Sequence, residues 1–272
     1  MKNGKLDIGN NRMLVKGRDG YFVVNPKDKY VGGAIITYGE FSHLEMDTFA
    51  ECINEDTYVL EIGANIGAHT VGLAKLCKFL LAIEPQPQIF QNLATNVFIN
   101  NLQNVELHNV GVGSGKTCMF VPKTDYDAEG NFGGISLVHS AEEISAVVEI
   151  FPMDSYSDTR YGKNVFVKID VEGMELEVLK SGARFIENHR PIMYVENDRP
   201  EKSKDLTEYL RSLNYALYWD TPKLFNPKNY FGKKEDKYPG IISINMLCVP
   251  MEYEFSFDRE PVTTDMHPMF YR

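Results

Sequence analysis

From residue 57 onward, apolar runs of strand length alternate with amphipathic stretches of helical length. The runs that predict strands cover residues 58–62, 79–83, 105–110, 165–169, 192–195, 216–219 and 246–249. The spacing of apolar residues predicts helices over 87–98, 175–187 and 205–213, the last one capped by Ser203. Strands that are apolar on both faces and alternate with helices are typical of a mostly parallel sheet covered on both sides.

The segments that flank and interrupt this alternation differ in pattern. Residues 1–41 are predicted to be rich in β-structure, with strands over 21–24 and 34–38, and Ser42-His43-Leu44-Glu45 is a capping-box pattern that opens a helix. Residues 114–156 predict an inserted strand pair, 118–121 and 146–151, joined by a glycine-rich loop. The predicted organisation is an N-terminal extension with a lead-in helix (1–56), an α/β domain (57–250, insertion 114–156) and a tail (251–272).

Charge and composition exclude several classes of protein. The 28 Lys and Arg residues against 38 Asp and Glu residues give a net charge of −10, which disfavours a nucleic-acid partner. None of the four cysteines forms a C-x-x-C pair of the kind that binds zinc. The first seven residues contain no apolar run, and the apolar stretch 71–83 is too short to span a bilayer. We therefore expect a soluble, cytoplasmic protein without a membrane partner, and a homo-oligomer remains open.

The strongest chemical signal is a glycine-bearing turn between the first predicted strand of the sheet and a helix. Its pattern is Glu61-x-Gly63-x-Asn65-x-Gly67, and the next strand ends at another acid, Glu84. Glycines let the backbone approach a ligand closely, and an acid at the second strand end can accept hydrogen bonds from both ribose hydroxyls. The arrangement predicts a site for a cofactor that contains adenosine.

The spacing of the glycines distinguishes between two such cofactors. A dinucleotide fingerprint has a second glycine two residues after the first, where the pyrophosphate approaches, but this chain has Asn65 there. The turn instead resembles that of class I methyltransferases, whose ligand, S-adenosylmethionine, lacks a pyrophosphate. A nicotinamide-dependent oxidoreductase on a Rossmann fold remains the alternative.

Two segments in order resemble signatures of the FkbM family of methyltransferases. They are Leu60-Glu61-Ile62-Gly63-Ala64-Asn65-Ile66-Gly67 and Val167-Lys168-Ile169-Asp170-Val171-Glu172-Gly173-Met174-Glu175. The resemblance, over roughly residues 30–250, implies a Rossmann-like class I fold of seven strands, the last antiparallel, with S-adenosylmethionine as methyl donor. It also implies O-methylation of a hydroxyl on a sugar, a glycan or a molecule like a natural product.

Ligands of open α/β sheets bind at the carboxyl ends of the strands, and the polar residues there are the candidate site. The predicted cofactor-binding residues are Glu61, Gly63, Asn65, Gly67, Glu84, Pro85, Gly111 and Asp170. A hydroxyl acceptor must lose a proton, and the candidate catalytic carboxylates are Asp170, Glu172 and Glu196. We expect Asp170 and Glu172 to leave their strand on opposite sides, so that only one of them faces the acceptor.

Three further possibilities concern the same region. Asp170, Glu196 and Asn197 resemble the magnesium ligands of catechol-type methyltransferases, so a Mg²⁺-assisted mechanism is an alternative. His69 either approaches the ligands or is an exposed residue at the start of a helix. The segment 221–243, with its aromatic and lysine side chains, is either a flap over the acceptor or a packed loop.

Overall fold

The N-terminal part of the chain is a small antiparallel sheet followed by two helices. The computed structural model describes residues 4–157, 162, 164–254, 257–263 and 267–271. Strands β1 (Lys5–Gly9), β2 (Arg12–Lys16) and β3 (Tyr21–Val24) pair in that order, and helices α1 (Val31–Tyr38) and α2 (His43–Cys52) follow. The predicted β-rich start is confirmed for β3, and the helix predicted at residue 43 is present.

The predicted strand over 34–38 is wrong, because this segment is helix α1. The β-branched residues of the segment suggested a strand. The buried residues Val31, Ala34, Ile35 and Tyr38 have the i, i+3, i+4, i+7 spacing of one helix face, and Gly39 ends the helix in the left-handed conformation (φ 76°). Burial of this face outweighs the local β-propensity.

The described residues after α2 form a seven-stranded central sheet, a three-stranded sheet that includes the insertion, and five α-helices. The strands are β4 (Tyr58–Ile62), β5 (Phe79–Ile83), β6 (Val105–His108), β7 (Gly111–Val112), β8 (Thr117–Pro122), β9 (Ile144–Phe151), β10 (Val165–Ile169), β11 (Ile192–Glu196), β12 (Tyr215–Asp220) and β13 (Asn245–Pro250). The helices are α3 (Thr70–Leu73), α4 (Pro87–Ile99), α5 (Glu175–Ser181), α6 (Ala183–His189) and α7 (Pro200–Ser212). Short 3₁₀ helices cover Met153–Tyr156 and Pro268–Tyr271.

The central sheet has the strand order β12-β13-β11-β10-β4-β5-β6. Strand β13 is antiparallel to both of its neighbours, whereas the pairs from β11 to β6 are parallel. The predicted mostly parallel sheet of seven strands, with the last one antiparallel, is confirmed. In the insertion, β8 and β9 form the predicted strand pair, which is antiparallel, and β7, just before the insertion, joins β9 in parallel.

The central strands are apolar along their whole length because both faces of the sheet are covered. In β10, Val165, Val167 and Ile169 belong to a core cluster that includes residues of α5, α6 and α7. Phe166 points to the opposite face, where the cluster includes residues of α2 and α4. The carboxyl ends of β4, β5 and β10 therefore lie side by side at one edge of a rigid, double-sided core.

Two helices differ from their predicted form. The helix predicted over 175–187 is divided at Gly182, where a Cβ would lie 2.4 Å from Sδ of Met153. The helix predicted to begin at Asp205 begins at Pro200, and Ser203, its expected cap, lies inside it. The Ser203 hydroxyl instead accepts a hydrogen bond from the side chain of Asn197.

The described part of the C-terminal segment packs on the edge strand β12. The Val262 N–H donates to the Leu217 carbonyl, and the Arg259 guanidinium contacts Asp220 and Glu51. Across the described residues, no helix is both long enough and apolar enough to cross a bilayer.

Candidate active site

The turn between β4 and α3 is held in an unusual backbone conformation. Gly63 (φ 86°), Asn65 (φ 52°) and Gly67 (φ 82°) all lie in the left-handed region. A Cβ at Gly67 would lie 2.8 Å from Cδ1 of Leu93, so this glycine permits packing against α4. Gly67 lines neither cavity described below, and its contact with the cofactor stays a prediction.

Glu84 is fixed at the end of β5 by two backbone donors. The N–H of Asn65 donates to its Oε2 atom (2.9 Å) and the N–H of Gln86 donates to its Oε1 atom (2.8 Å). Each carboxylate oxygen keeps a second lone pair, and the side chain lines both cavities of the site. The predicted acid at the second strand end therefore lies in the cleft in a preset orientation.

Two adjoining cavities open along the carboxyl ends of the strands. The narrow cavity, about 50 Å³, has walls of Ile62, Ile83, Val110, Val112, Ile135, Leu137 and Met174, with Pro85 and Gly111 also exposed to it. The larger cavity, about 440 Å³, is bounded by Tyr30, Val31, Phe41, Leu224 and Ile241 to Asn245. Both cavities are lined by Gly63, Glu84, Gly133, Asp170 and Glu172, so they meet at the ends of β4, β5 and β10.

The larger cavity contains an acid cluster formed by Asp170, Glu172 and Glu196. One carboxylate oxygen from each residue lies within 4.8 Å of the other two. The expectation that Asp170 and Glu172 leave β10 on opposite sides is wrong. Residues two apart share a side of an extended chain, and Glu172, in the left-handed conformation (φ 56°), then turns the chain toward α5. All three predicted catalytic carboxylates are brought together.

Asn197 does not join this cluster, which contradicts its predicted role as a metal ligand. Its side-chain amide donates to Oγ of Ser203 (2.9 Å) and contacts Sδ of Met246 (3.3 Å). Asn197 lines neither cavity and is 3% exposed. The side chain is used to join β11 to α7 and β13, so the predicted magnesium triad does not form.

Two cations contact the acid cluster, and sequence reasoning assigned a role to neither. Nζ of the buried Lys168 lies 2.8 Å from Oδ2 of Asp170, and Nη2 of Arg199 lies 2.8 Å from Oε2 of Glu172. Lys168 belongs to the second signature. A lysine inside an otherwise apolar strand is the sequence feature that could have identified it as a site residue. Nothing in the sequence distinguishes Arg199 from the other surface cations.

Burial is the main cause of the raised pKa values of the carboxyl groups that line the larger cavity. It raises the pKa of Glu45, Glu61, Glu84 and Glu172 to about 7, and the nearby charge of Lys168 opposes this rise for the first three. Burial and the charges of Asp170 and Glu172 raise the pKa of Glu196 well above its usual value. The site therefore contains carboxyl groups that exchange protons near neutrality.

Glu61 and His69 are buried and face the larger cavity. The Thr70 hydroxyl donates to Oε2 of Glu61 (2.7 Å), while Oε1 of Glu61 has no partner among the described residues. His69 is 6% exposed between the rings of Phe41 and Phe49, so the expectation of an exposed helix-start residue is wrong. Burial lowers the pKa of His69 to about 3, and the ring is neutral.

The segment 221–243 contributes to the site, but with residues other than its aromatic ones. Its Leu224, Ile241, Ile242 and Ser243 line the larger cavity. Tyr230 and Phe231 instead pack beside Gly39, and Tyr238 contacts Tyr38. The segment forms one wall of the larger cavity and is attached to α1 by its aromatic side chains, and its role as a flap over the acceptor stays a prediction.

The helix start at residue 43 also supplies a site residue. Ser42 was expected to cap the backbone of α2, but its hydroxyl donates to Oε1 of Glu45 (2.7 Å). The Ser243 hydroxyl donates to the same oxygen (2.6 Å). Glu45 is thereby held as a cavity-lining acid, for which the capping-box pattern gave a purely structural explanation.

The chain is similar to known proteins both in sequence family and in solved structures. The family model described as the methyltransferase FkbM domain matches residues 61–217, more than half of the chain. No curated protein matches the sequence. Among solved structures, the methyltransferase FkbM from Methylobacillus flagellatus KT is 17% identical with a TM-score of 0.46; the match covers 79% of this chain and 52% of that one. This chain thus spans about half the length of that protein.

Two other solved structures are also similar to this chain. Precorrin-6y C5,15-methyltransferase from Geobacter metallireducens GS-15 is 14% identical (TM-score 0.46), covering 76% of this chain and 86% of that one. TYW2 from M. jannaschii, solved with AdoMet, is 14% identical (TM-score 0.46), covering 89% and 87% respectively.

The sheet and its cleft define a class I methyltransferase fold. The chain belongs to the FkbM family of methyltransferases. This membership confirms the resemblance and the methyltransferase class, and it contradicts the nicotinamide-dependent alternative. The absence of a nucleic-acid partner stays a prediction, as do the roles of the individual site residues.

Proposed function

We propose that the protein transfers a methyl group from S-adenosylmethionine to a hydroxyl group of a small-molecule or glycan acceptor. The observation that carries this proposal is the pair of adjoining cavities, which share Asp170 and Glu172. Donor and acceptor must meet for an in-line displacement, and a junction lined by both cavities provides that place. The volume of the larger cavity, about 440 Å³, lies within the range for small-molecule sites.

The residues around the narrow cavity and its junction with the larger one suit the adenosine part of the donor. The walls of the narrow cavity are mostly aliphatic, as the face of an adenine ring requires, and Glu84 offers free carboxylate lone pairs for ribose hydroxyls. Gly133 leaves room beside Asn65, since a Cβ at position 133 would lie 2.2 Å from Nδ2 of Asn65. When bound, the donor supplies an electrophilic methyl group on a sulfonium centre.

The chain's own contribution to the reaction is the removal of a proton and the alignment of the acceptor. Glu172 lies at the junction of the cavities, and its pKa of about 7 suits a group that accepts a proton at neutral pH. Arg199 holds its Oε2 atom at 2.8 Å, which leaves Oε1 to face the acceptor hydroxyl. Asp170, held by Lys168, keeps the junction negative, and its charge adds to the effect of burial in raising the pKa of Glu172.

A magnesium-assisted mechanism is less favoured by the same contacts. Two members of the acid cluster are already ion-paired, Asp170 with Lys168 and Glu172 with Arg199. A divalent cation bound there would have to displace these cations or tolerate their repulsion. We therefore propose a metal-free transfer.

The proposal is tested by calorimetric titration of the donor and by transfer of labelled methyl groups. S-adenosylmethionine and its demethylated product should bind with micromolar affinity, whereas NAD should not bind comparably. Incubation of labelled donor with a panel of hydroxylated small molecules and glycans should yield a labelled ether. Binding of NAD as tightly as the methyl donor would refute the cofactor assignment.

A further inference from the structure

The larger cavity presents hydrogen-bond acceptors that the protein itself does not satisfy. Oε1 of Glu61 and Nε2 of His69 have no partner among the described residues, although the two side chains are only 1% and 6% exposed. His69 is neutral and makes its other hydrogen bond to the backbone of Ser42, so Nε2 is an acceptor. Buried polar atoms without partners are costly, and both of these line a cavity of ligand size.

The charges around this cavity are strongly unbalanced. Seven carboxyl groups line it, against the two cations Lys168 and Arg199. Those cations form ion pairs with Asp170, Glu172 and Asp198. Within the described residues, the remaining four acids have no ion pair: Glu45, Glu61, Glu84 and Glu196. An anionic acceptor would be repelled, whereas a cationic one would favour the ionised forms of these acids.

We propose that the acceptor carries a protonated amine, which binds against the acid cluster of Asp170, Glu172 and Glu196. This inference rests on the proposed function and specifies its substrate class: an aminated, polyhydroxylated molecule such as an amino sugar. An ammonium group has three donors and no acceptor, which matches a cavity rich in unsatisfied acceptors. Oε2 of Glu196, buried and unpartnered, gains a donor when the amine binds.

A monovalent ammonium fits the cluster better than a metal ion does. Lys168 and Arg199 each contact one member of the cluster at 2.8 Å, which leaves Glu196 without a cation. An ammonium group beside Glu196 favours the ionised form of that carboxyl group and balances its charge, whereas a dication would also need the paired oxygens. The hydroxyl groups of the same molecule can then donate to the Glu61 and His69 acceptors deeper in the cavity.

The test compares three probes of one shape: glucosamine, glucose and glucuronate, titrated by calorimetry with and without S-adenosylhomocysteine. Glucosamine should bind about tenfold or more tightly than glucose, as expected for one charge-assisted hydrogen-bonded contact, and glucuronate should bind most weakly. Glu196→Gln should remove this preference, and Glu172→Gln, at a more accessible position, provides a second variant. The matched control Glu149→Gln changes an exposed acid of β9 and should keep the preference.

The outcomes separate this inference from the proposed function. Equal binding of glucosamine and glucose, including no binding of either, overturns the inference, as does a preference that survives in both cluster variants. Tight binding of Mg²⁺ alone that excludes glucosamine also overturns it in favour of a metal site. Failure of S-adenosylhomocysteine to bind instead counts against the proposed function, while the glucosamine preference is still measured without it.

Discussion

Gly63 lies against the carbonyl group of Asp170, so close that a Cβ at position 63 would be 1.7 Å from that oxygen. The contact joins the two signatures of the family at the adjacent ends of β4 and β10. The Asp170 N–H also donates to the Ile62 carbonyl (3.0 Å), so the strands remain paired up to the turn. The glycine that the sequence assigns to cofactor approach is therefore needed by the fold as well.

Gly63→Ala should destabilise the protein severely, by about 3 kcal/mol or more, because backbone must move and the residue has a left-handed φ of 86°. Chemical denaturation measures the free energy of unfolding. Gly115→Ala is the matched control, since a Cβ there meets nothing within 4 Å, and it should change stability little. Similar stability of the two variants would contradict the packing role of Gly63.

Glu84→Gln should weaken donor binding by about 1–3 kcal/mol, roughly tenfold to a hundredfold, because a charge-assisted acceptor is lost. The substitution also replaces one carboxylate oxygen by an amide nitrogen. The N–H group of either Asn65 or Gln86 therefore loses its acceptor, and this loss contributes to the effect. Calorimetric titration with S-adenosylhomocysteine measures it, and Glu149→Gln serves as the control. Unchanged affinity in a folded variant would show that Glu84 only caps the turn.

Glu172→Gln should slow methyl transfer by roughly 10²–10⁴ with little change in donor affinity, because the proton acceptor is lost. Asp170→Asn should slow transfer over the same range.

In the unchanged protein, kcat/KM should fall as the pH decreases through about 7, since the pKa of Glu172 is raised to that value and only its ionised form accepts a proton. A chelator should have no effect. Loss of activity in chelator that added Mg²⁺ restores would instead establish the metal mechanism.

Glu61→Gln should make the stability of the protein less dependent on pH. Burial raises the pKa of Glu61 from 4.5 to about 7, so the folded state holds a proton that the unfolded chain releases. The protonated group favours folding below the unfolded pKa, and this contribution, on the order of 3 kcal/mol, is lost as the pH rises from about 4.5 through 7. Denaturation at a series of pH values measures it. If the free energy of unfolding depends on pH in the same way in the variant and in the unchanged protein, the pKa of Glu61 is not raised.

The strands that carry the site were predictable because burial on both faces leaves a continuous apolar run. Strands β4, β5 and β10 have the bounds that the sequence predicts. Helix α1 was not predictable in this way. Its β-branched residues suggested a strand, and its buried face is recognisable only from its packing against the N-terminal sheet. Tertiary burial decided between two local patterns of similar strength.

The direction of polar side chains at strand ends was less predictable than their location. Asn197 directly follows β11, yet it turns toward Ser203 and Met246, away from the cleft. Glu172 lies on the same side of the chain as Asp170, and its left-handed backbone (φ 56°), which no residue type in the sequence requires, then turns the chain toward α5. Strand-end position identifies candidates, and the backbone after the strand determines which of them meet.

Two segments far apart in sequence form the outer wall of the larger cavity together. The Phe231 N–H donates to the Tyr38 carbonyl, and the Tyr238 hydroxyl donates to the Lys29 carbonyl across 209 positions of sequence. A chimera that exchanged only residues 221–243 with a relative would break these bonds and misplace Leu224 and Ile241. If the larger cavity binds the acceptor as proposed, an exchange of acceptor selectivity between relatives requires residues 28–45 to move together with residues 221–243.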